Sequence, residues 1–184
     1  MFEKIKNWFW KRKLEQEVKT VSRQLLNTRL EEARNIGLLA YVPDEKKLQQ
    51  VEQYLHKLQK DNKEVSLLTV IPQKEVPHYC MPKLSVDYIP RKMVNWFGIP
   101  QGKAVRDFQQ KKFDILIDLC LQPQKEILYV VATSSANMRV GLYREDMVKH
   151  YDFMITVPEE KKSLDNYINE VEKYLNQINT KHYE

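Results

Sequence analysis

The sequence predicts a Rossmann-like, doubly wound α/β domain on a mostly parallel six-stranded sheet in the order 3-2-1-4-5-6. Three observations carry this. Short runs such as "IGLLAYV" at 36–42 and "VSLLTVIP" at 65–72 are apolar on both faces, as strands covered from both sides must be. These runs alternate with amphipathic helical stretches. A long Pro-containing connection after the third run splits the strands into two halves, and right-handed crossovers then set the first and fourth strands side by side at a topological switch point. The organisation read from this is an N-terminal amphipathic basic helix over residues 1–34 and a single α/β domain over 35–184.

Taken in order, residues 1–34 hold no Gly or Pro, and Phe2, Ile5, Phe9, Leu14, Val18, Val21 and Leu25 recur at steps of three to five, a helical period. Asn35 marks a stop before the first strand. Pro43 and Asp44 open a helix whose Leu48, Val51, Leu55 and Leu58 form one stripe, ended by "DNK" at 61–63. The second strand follows. Residues 73–84 read as irregular connection, then "VDYI" at 86–89 as a short third strand. After a loop, a helix over 102–110 leads into "FDILIDLCLQ" at 113–122, the fourth strand. A short helix around 124–134, strands "NMRVGLY" and "YDFMITV", and a terminal helix with Leu164, Ile168, Val171, Leu175 and Ile178 complete the pattern.

Two aspartates interrupt the fourth strand. Side chains alternate along a strand, so Phe113, Ile115, Ile117 and Leu119 are expected on one face and Asp114, Leu116, Asp118 and Cys120 on the other. Asp114 falls at the strand entry. Asp118 falls near the carboxyl end, where open parallel sheets bind ligands, and an ionised carboxylate buried there requires a partner. The plain reading is that Asp118 accepts backbone N–H groups of the next loop and caps the helix near 124.

The totals exclude several classes. The 184 residues carry a net charge of +5, but residues 1–13 hold Lys4, Lys6, Lys11, Arg12 and Lys13 against Glu3, leaving only +1 for the rest. A nearly neutral body does not read as a nucleic-acid binder. No apolar run reaches membrane-span length, and the basic start lacks the apolar core of a signal peptide. Cys80 and Cys120 make no disulfide framework and no zinc spacing, which points to a reducing compartment. After Gly37 no glycine occurs until Gly98, so a phosphate-cradling loop is absent where this fold would place it. His56, His78, His150 and His182 have no metal-ligand spacing.

The stretch "KKFDILIDLCLQPQKEILYVVATSSANMRVGLY" resembles a segment of the amino-terminal domain of heptosyltransferase-like glycosyltransferases, at Phe113 to Leu119, Ala132 to Ala136 and Arg139 to Leu142. The chain as a whole also looks like members of an uncharacterised bacterial family of similar size, through its "FDILIDL" and "VGLY" blocks. Both resemblances imply this fold. The glycosyltransferases carry two such domains and a Gly-rich turn with a catalytic Asp after their first strand, where this sequence has "YVPDEKK".

The functional expectation is a non-catalytic protein, without cofactor or metal, acting through a protein or oligomer interface that uses the N-terminal helix. Two alternatives stand beside it. One is a nucleotide- or sugar-binding, glycosyltransferase-like crevice at Asp44, Asp118, Cys120, Thr133, Ser134 and Ser135, with the ligand unspecified. The other is peripheral association of a cytoplasmic protein with the anionic inner membrane face through Phe2, Ile5, Trp8, Phe9, Trp10, Lys11, Arg12 and Lys13, aromatics entering the headgroup layer and cations meeting lipid charge.

Overall fold

An all-parallel sheet has no face suited to water, and the chain supplies cover for both. A computed structural model of the protein describes residues 2–178. Six strands, β1 (Asn35–Tyr41), β2 (Glu64–Ile71), β3 (Val86–Pro90), β4 (Ile115–Asp118), β5 (Met138–Leu142) and β6 (Phe153–Ile155), pair in parallel in the order β3-β2-β1-β4-β5-β6. This is the order expected from the sequence. Five helices accompany them: α1 (Phe2–Val18), α2 (Glu45–Lys60), α3 (Lys103–Gln110), α4 (Lys125–Thr133) and α5 (Leu164–Gln177).

Alternation along β1 sorts the core. Ile36, Leu38 and Ala40 join Ile115 and Ile117 of β4 in packing against α2 and α5, through Val51, Leu55, Tyr167 and Val171. Leu39 and Leu116 point the other way, toward Val105 and Phe108 of α3 and Ile127 and Val131 of α4. In α4 every residue from Ile127 to Thr133 is buried, because α1 lies across its outer side with Trp10 and Leu14. The remaining boundaries have local causes. Asp44 accepts the N–H of Lys47 at 2.8 Å to start α2, Ser163 accepts that of Asn166 at 3.2 Å to start α5, and Asn62, at φ 58°, turns the chain out of α2.

Two expectations are corrected. Phe113 does not share a face with Ile115 and Ile117. It precedes the first residue of β4, so strand alternation does not govern it, and its ring packs with Leu116 beside Phe108. Nor is there a helix over 1–34: α1 stops at Val18, where Thr20 folds back with its hydroxyl and its N–H on the Glu17 carbonyl. Residues 19–34 run instead as a strap held by tertiary bonds, which override weak helical propensity. Arg23 grips Asp152 with two 2.6 Å bonds, and Leu26 donates to the Asn137 carbonyl. Beyond the buried Leu30 and Ala33, the N–H groups of Arg34 and Asn35 both reach Asp114 Oδ2, at 2.8 and 2.9 Å. Asp114 therefore anchors the entry to the central strand.

Gly37 is explained by close approach. A Cβ there would fall 2.7 Å from Leu116 Cδ1 and 2.9 Å from the Phe113 ring, both buried. Gly37→Ala is expected to cost about 1–3 kcal/mol by overpacking, read as a lower urea midpoint with an unchanged slope.

Candidate functional site

Asp118, at the carboxyl end of β4 and 2% exposed, is the centre of the most elaborate polar cluster at the switch point. Its Oδ1 accepts the Cys120 N–H at 2.9 Å, closing a short turn that follows the strand. Its Oδ2 accepts the Tyr151 hydroxyl at 2.7 Å, with the Arg144 guanidinium 3.8 Å away. Arg144 also donates to the Cys120 carbonyl. From the opposite layer the Tyr167 hydroxyl donates to the Asp118 carbonyl at 3.0 Å. The expected loop N–H bond is thus present, while α4 begins at Gln124 without a side-chain cap, so Asp118 does not serve as one.

Tyr151 reaches the carboxylate because β5 carries Gly141 beneath it. A Cβ at 141 would stand 2.4 Å from the tyrosine ring. Burial, then the adjacent Asp118 charge, push the Tyr151 hydroxyl well above its ordinary pKa, which keeps it a donor. Burial and Asp118 push the Cys120 thiol up in the same way, so Cys120 is the inert form rather than a nucleophile. Sequence reasoning missed Tyr151, Arg144 and Tyr167. Only Arg144 had a signal, since the residue just beyond β5 must stand near the end of its neighbour β4.

The other residues singled out from the sequence separate. Asp44 is at the neighbouring carboxyl end of β1, but its side chain caps α2. Lys47, one turn on, is half-buried, and that burial lowers its pKa. Thr133, Ser134 and Ser135 lie at the end of α4, at the amino edge of the sheet and away from Asp118. There the Thr133 hydroxyl donates to the Tyr129 carbonyl and accepts from Gln109, both at 2.6 Å, and the Ser134 carbonyl accepts from Arg139 at 2.6 Å. Thr133 and Ser135 border a groove of about 530 Å³ under the strap, continuous through Glu17, Arg106 and Gln109 with one of about 570 Å³ between α1 and α3. Among the described residues no group of three or more His, Cys, Asp or Glu side chains is placed to hold a metal ion.

The N-terminal candidates are divided by α1 into two opposite faces. Trp10 and Leu14 are buried and Val18 partly so, against the body. Ile5, Trp8 and Phe9 face outward at 42%, 53% and 44% exposure. Lys11, Arg12 and Lys13 are exposed, with Lys13 paired to Glu17 at 2.9 Å and Arg12 5.2 Å over the Trp8 ring. The side chain of Phe2 lies outside the described residues, as does His182. The loop after β3 joins this surface: Phe97 meets Phe9 at 5.3 Å, and Trp96, 56% exposed, lies under the Lys6 ammonium at 4.6 Å.

The profile of a family described as "Family of unknown function (DUF6913)" matches residues 4–178. No curated protein matches the chain. Among solved structures, the chain is similar to the glycosyl transferase family 9 protein from Veillonella parvula DSM 2008, with 15% identity over 81% of this chain and 43% of that one, TM-score 0.49. It is also similar to the E. coli heptosyltransferase WaaC with ADP-2-deoxy-2-fluoro heptose, with 12% identity over 81% of this chain and 50% of that one, TM-score 0.47. The chain spans half or less of the length of those two proteins.

Removing the Asp118 carboxylate leaves the Tyr151 hydroxyl and the Cys120 N–H without their acceptor, and Arg144 without its counter-charge, in a buried site. Asp118→Ala is expected to lose about 3–5 kcal/mol of stability. Tyr151→Phe, which keeps the ring over Gly141, is expected to lose only about 1–2 kcal/mol. Urea titrations of the two variants, side by side, measure the difference.

Proposed function

The chain belongs to that family of unknown function, and from this premise we propose that it works by surface contact rather than turnover, as a docking module whose contact surface is the outward face of α1 together with Trp96. The observation that carries this is the division of α1 into two apolar faces. Trp10 and Leu14 complete the fold, so Ile5, Trp8 and Phe9 are not needed to fill it. Exposed aromatics grouped on one surface are costly to keep unless they meet something. The contacts of Phe9 with Phe97 and of Lys6 with Trp96 fix this surface in place before any partner arrives, which lowers the ordering cost of binding.

At the carboxyl end of the sheet the polar groups are spent on one another. Both Asp118 oxygens have internal donors, the Cys120 thiol is buried and protonated, and Asp44 is a cap. That arrangement favours a structural over a catalytic role. One observation supports the second reading, a sugar- or nucleotide-binding crevice. Lys47, half-buried beside the switch point, forms no ion pair among the described residues and could receive an anionic group.

Stability measurements separate a docking face from a structural one. Trp8→Ser is expected to change unfolding free energy by less than about 1 kcal/mol, and Trp10→Ser to lower it by more than about 3 kcal/mol. A loss at Trp8 as large as that at Trp10 assigns the outward face to folding and removes the docking reading. For the crevice, a thermal-shift screen against nucleotides, nucleotide sugars and sugar phosphates is expected to show no change. A ligand at a hundred times its Kd would add about 2.7 kcal/mol. A shift of several degrees, abolished by Lys47→Gln, transfers the function to the crevice.

A further inference from the structure

We infer that the partner of this docking surface is the headgroup layer of an anionic lipid bilayer, on which α1 lies lengthwise. The inference rests on the docking reading above and names its occupant. Helical geometry advances about 100° per residue. Taking Ile5 as the centre, Phe9 and Arg12 fall within about 40° of it and Trp8 about 60° to one side. Lys4 and Lys11 fall about 100–120° away on one flank, and Lys6 and Lys13 about 80–100° away on the other. The outward stripe is thus apolar along its middle, where Arg12 also lies, with two lysines on each border. Glu15 falls about 80° away on the Lys4 and Lys11 flank, and Lys6 and Lys13 are paired with Glu3 and Glu17 at 3.6 and 2.9 Å.

The charge is concentrated and positive on balance, five cations against Glu3, Glu15 and Glu17 within α1. Residues 4–13 carry five cations and no acid, while residues 14–184 carry a net charge of only +1. A protein partner large enough to cover the stripe would have to match two parallel rows of lysine with acids of its own. An anionic bilayer matches them at every point, because its charge is continuous and its lipids rearrange. Lysine stems long enough to keep the ammonium at the phosphates while aromatic rings sink beneath them suit this geometry. Trp96 adds a ring from a second element to the same surface, held there by Lys6. Among the described residues no helix is long and apolar enough to cross a membrane. The contact inferred for α1 is with the surface, reversible and sensitive to salt.

The test is co-sedimentation of the full chain with vesicles of phosphatidylcholine containing about a third phosphatidylglycerol, against vesicles of phosphatidylcholine only. Binding is expected to the anionic vesicles at low salt, with a blue shift of tryptophan emission, and to be lost at high salt and on neutral vesicles. Removing one cation near an anionic surface costs roughly fivefold in partition, so Lys4→Gln with Lys11→Gln is expected to lower it by about 25-fold. Trp8→Ser with Phe9→Ser is expected to lower it at least tenfold, with circular dichroism unchanged in both variants. Absence of binding, equal binding to neutral vesicles, or indifference to both double variants overturns the inference. If light scattering instead reveals a dimer that Trp8→Ser with Phe9→Ser dissolves, and no vesicle binding, the occupant is a second copy of this chain. That outcome refutes the membrane while leaving the docking reading intact. Only a structural role for Trp8, measured as described above, removes both.

Discussion

A carboxylate removed from water at the carboxyl end of a central strand constrains this molecule more than any other single group. A carboxylate buried there needs partners, and the chain brings them from two directions, the next turn through the Cys120 N–H and the far edge of the sheet through the Tyr151 hydroxyl and the Arg144 charge, while Tyr167 of the opposite helical layer holds the Asp118 backbone carbonyl. Meeting its needs fixes where the β5–β6 crossover must pass and how close α5 must come. Gly141 follows from the same demand, since only a residue without a side chain lets the Tyr151 ring lie on the sheet. The most polar point of the core thus serves as its register mark. A buried polar network of this kind contributes to a unique arrangement as much as to stability.

The order of the sheet was legible in the sequence because it follows from local properties: apolar runs of strand length, helical stripes between them and one long connection. Caps were legible for the same reason, as at Asp44. What escaped were contacts between residues far apart in the chain. Tyr151 lies 33 residues beyond Asp118 and Tyr167 lies 49 beyond it, and nothing in the sequence near either names its partner. The six candidate crevice residues scattered for a related reason. Asp118 and Thr133 are close in sequence, but α4 carries the chain from the carboxyl edge of the sheet back to the amino edge, so two ends of one helix were read as one place. Asp114 and Asp118, four residues apart, likewise serve opposite edges, one anchoring the strap and the other the switch point.

The N-terminal segment was misread in extent and half-read in pattern. An unbroken absence of Gly and Pro looks like one long helix, yet the segment holds a helix and a strap that tertiary bonds from Arg23, Leu26, Leu30 and Arg34 fasten to the body. Within α1 the apolar residues form two stripes on opposite sides, so a single periodicity merges Phe9, which faces outward, with Leu14, which faces the body. Two opposed faces are the reason the helix is ambiguous to a pattern search and informative in three dimensions: one is explained by the fold, and the other has no explanation inside it.

The packing of α1 on α4 also has a consequence in time. During synthesis α1 leaves the ribosome more than 100 residues ahead of the helix that receives it, a delay on the order of ten seconds at ordinary translation rates. Through that interval both of its apolar stripes are bare, and the strap has neither Asp114 nor Asp152 to hold. The nascent chain therefore presents an aromatic and basic segment to its surroundings long before the domain can shelter half of it. Whatever α1 meets first, it meets as a peptide.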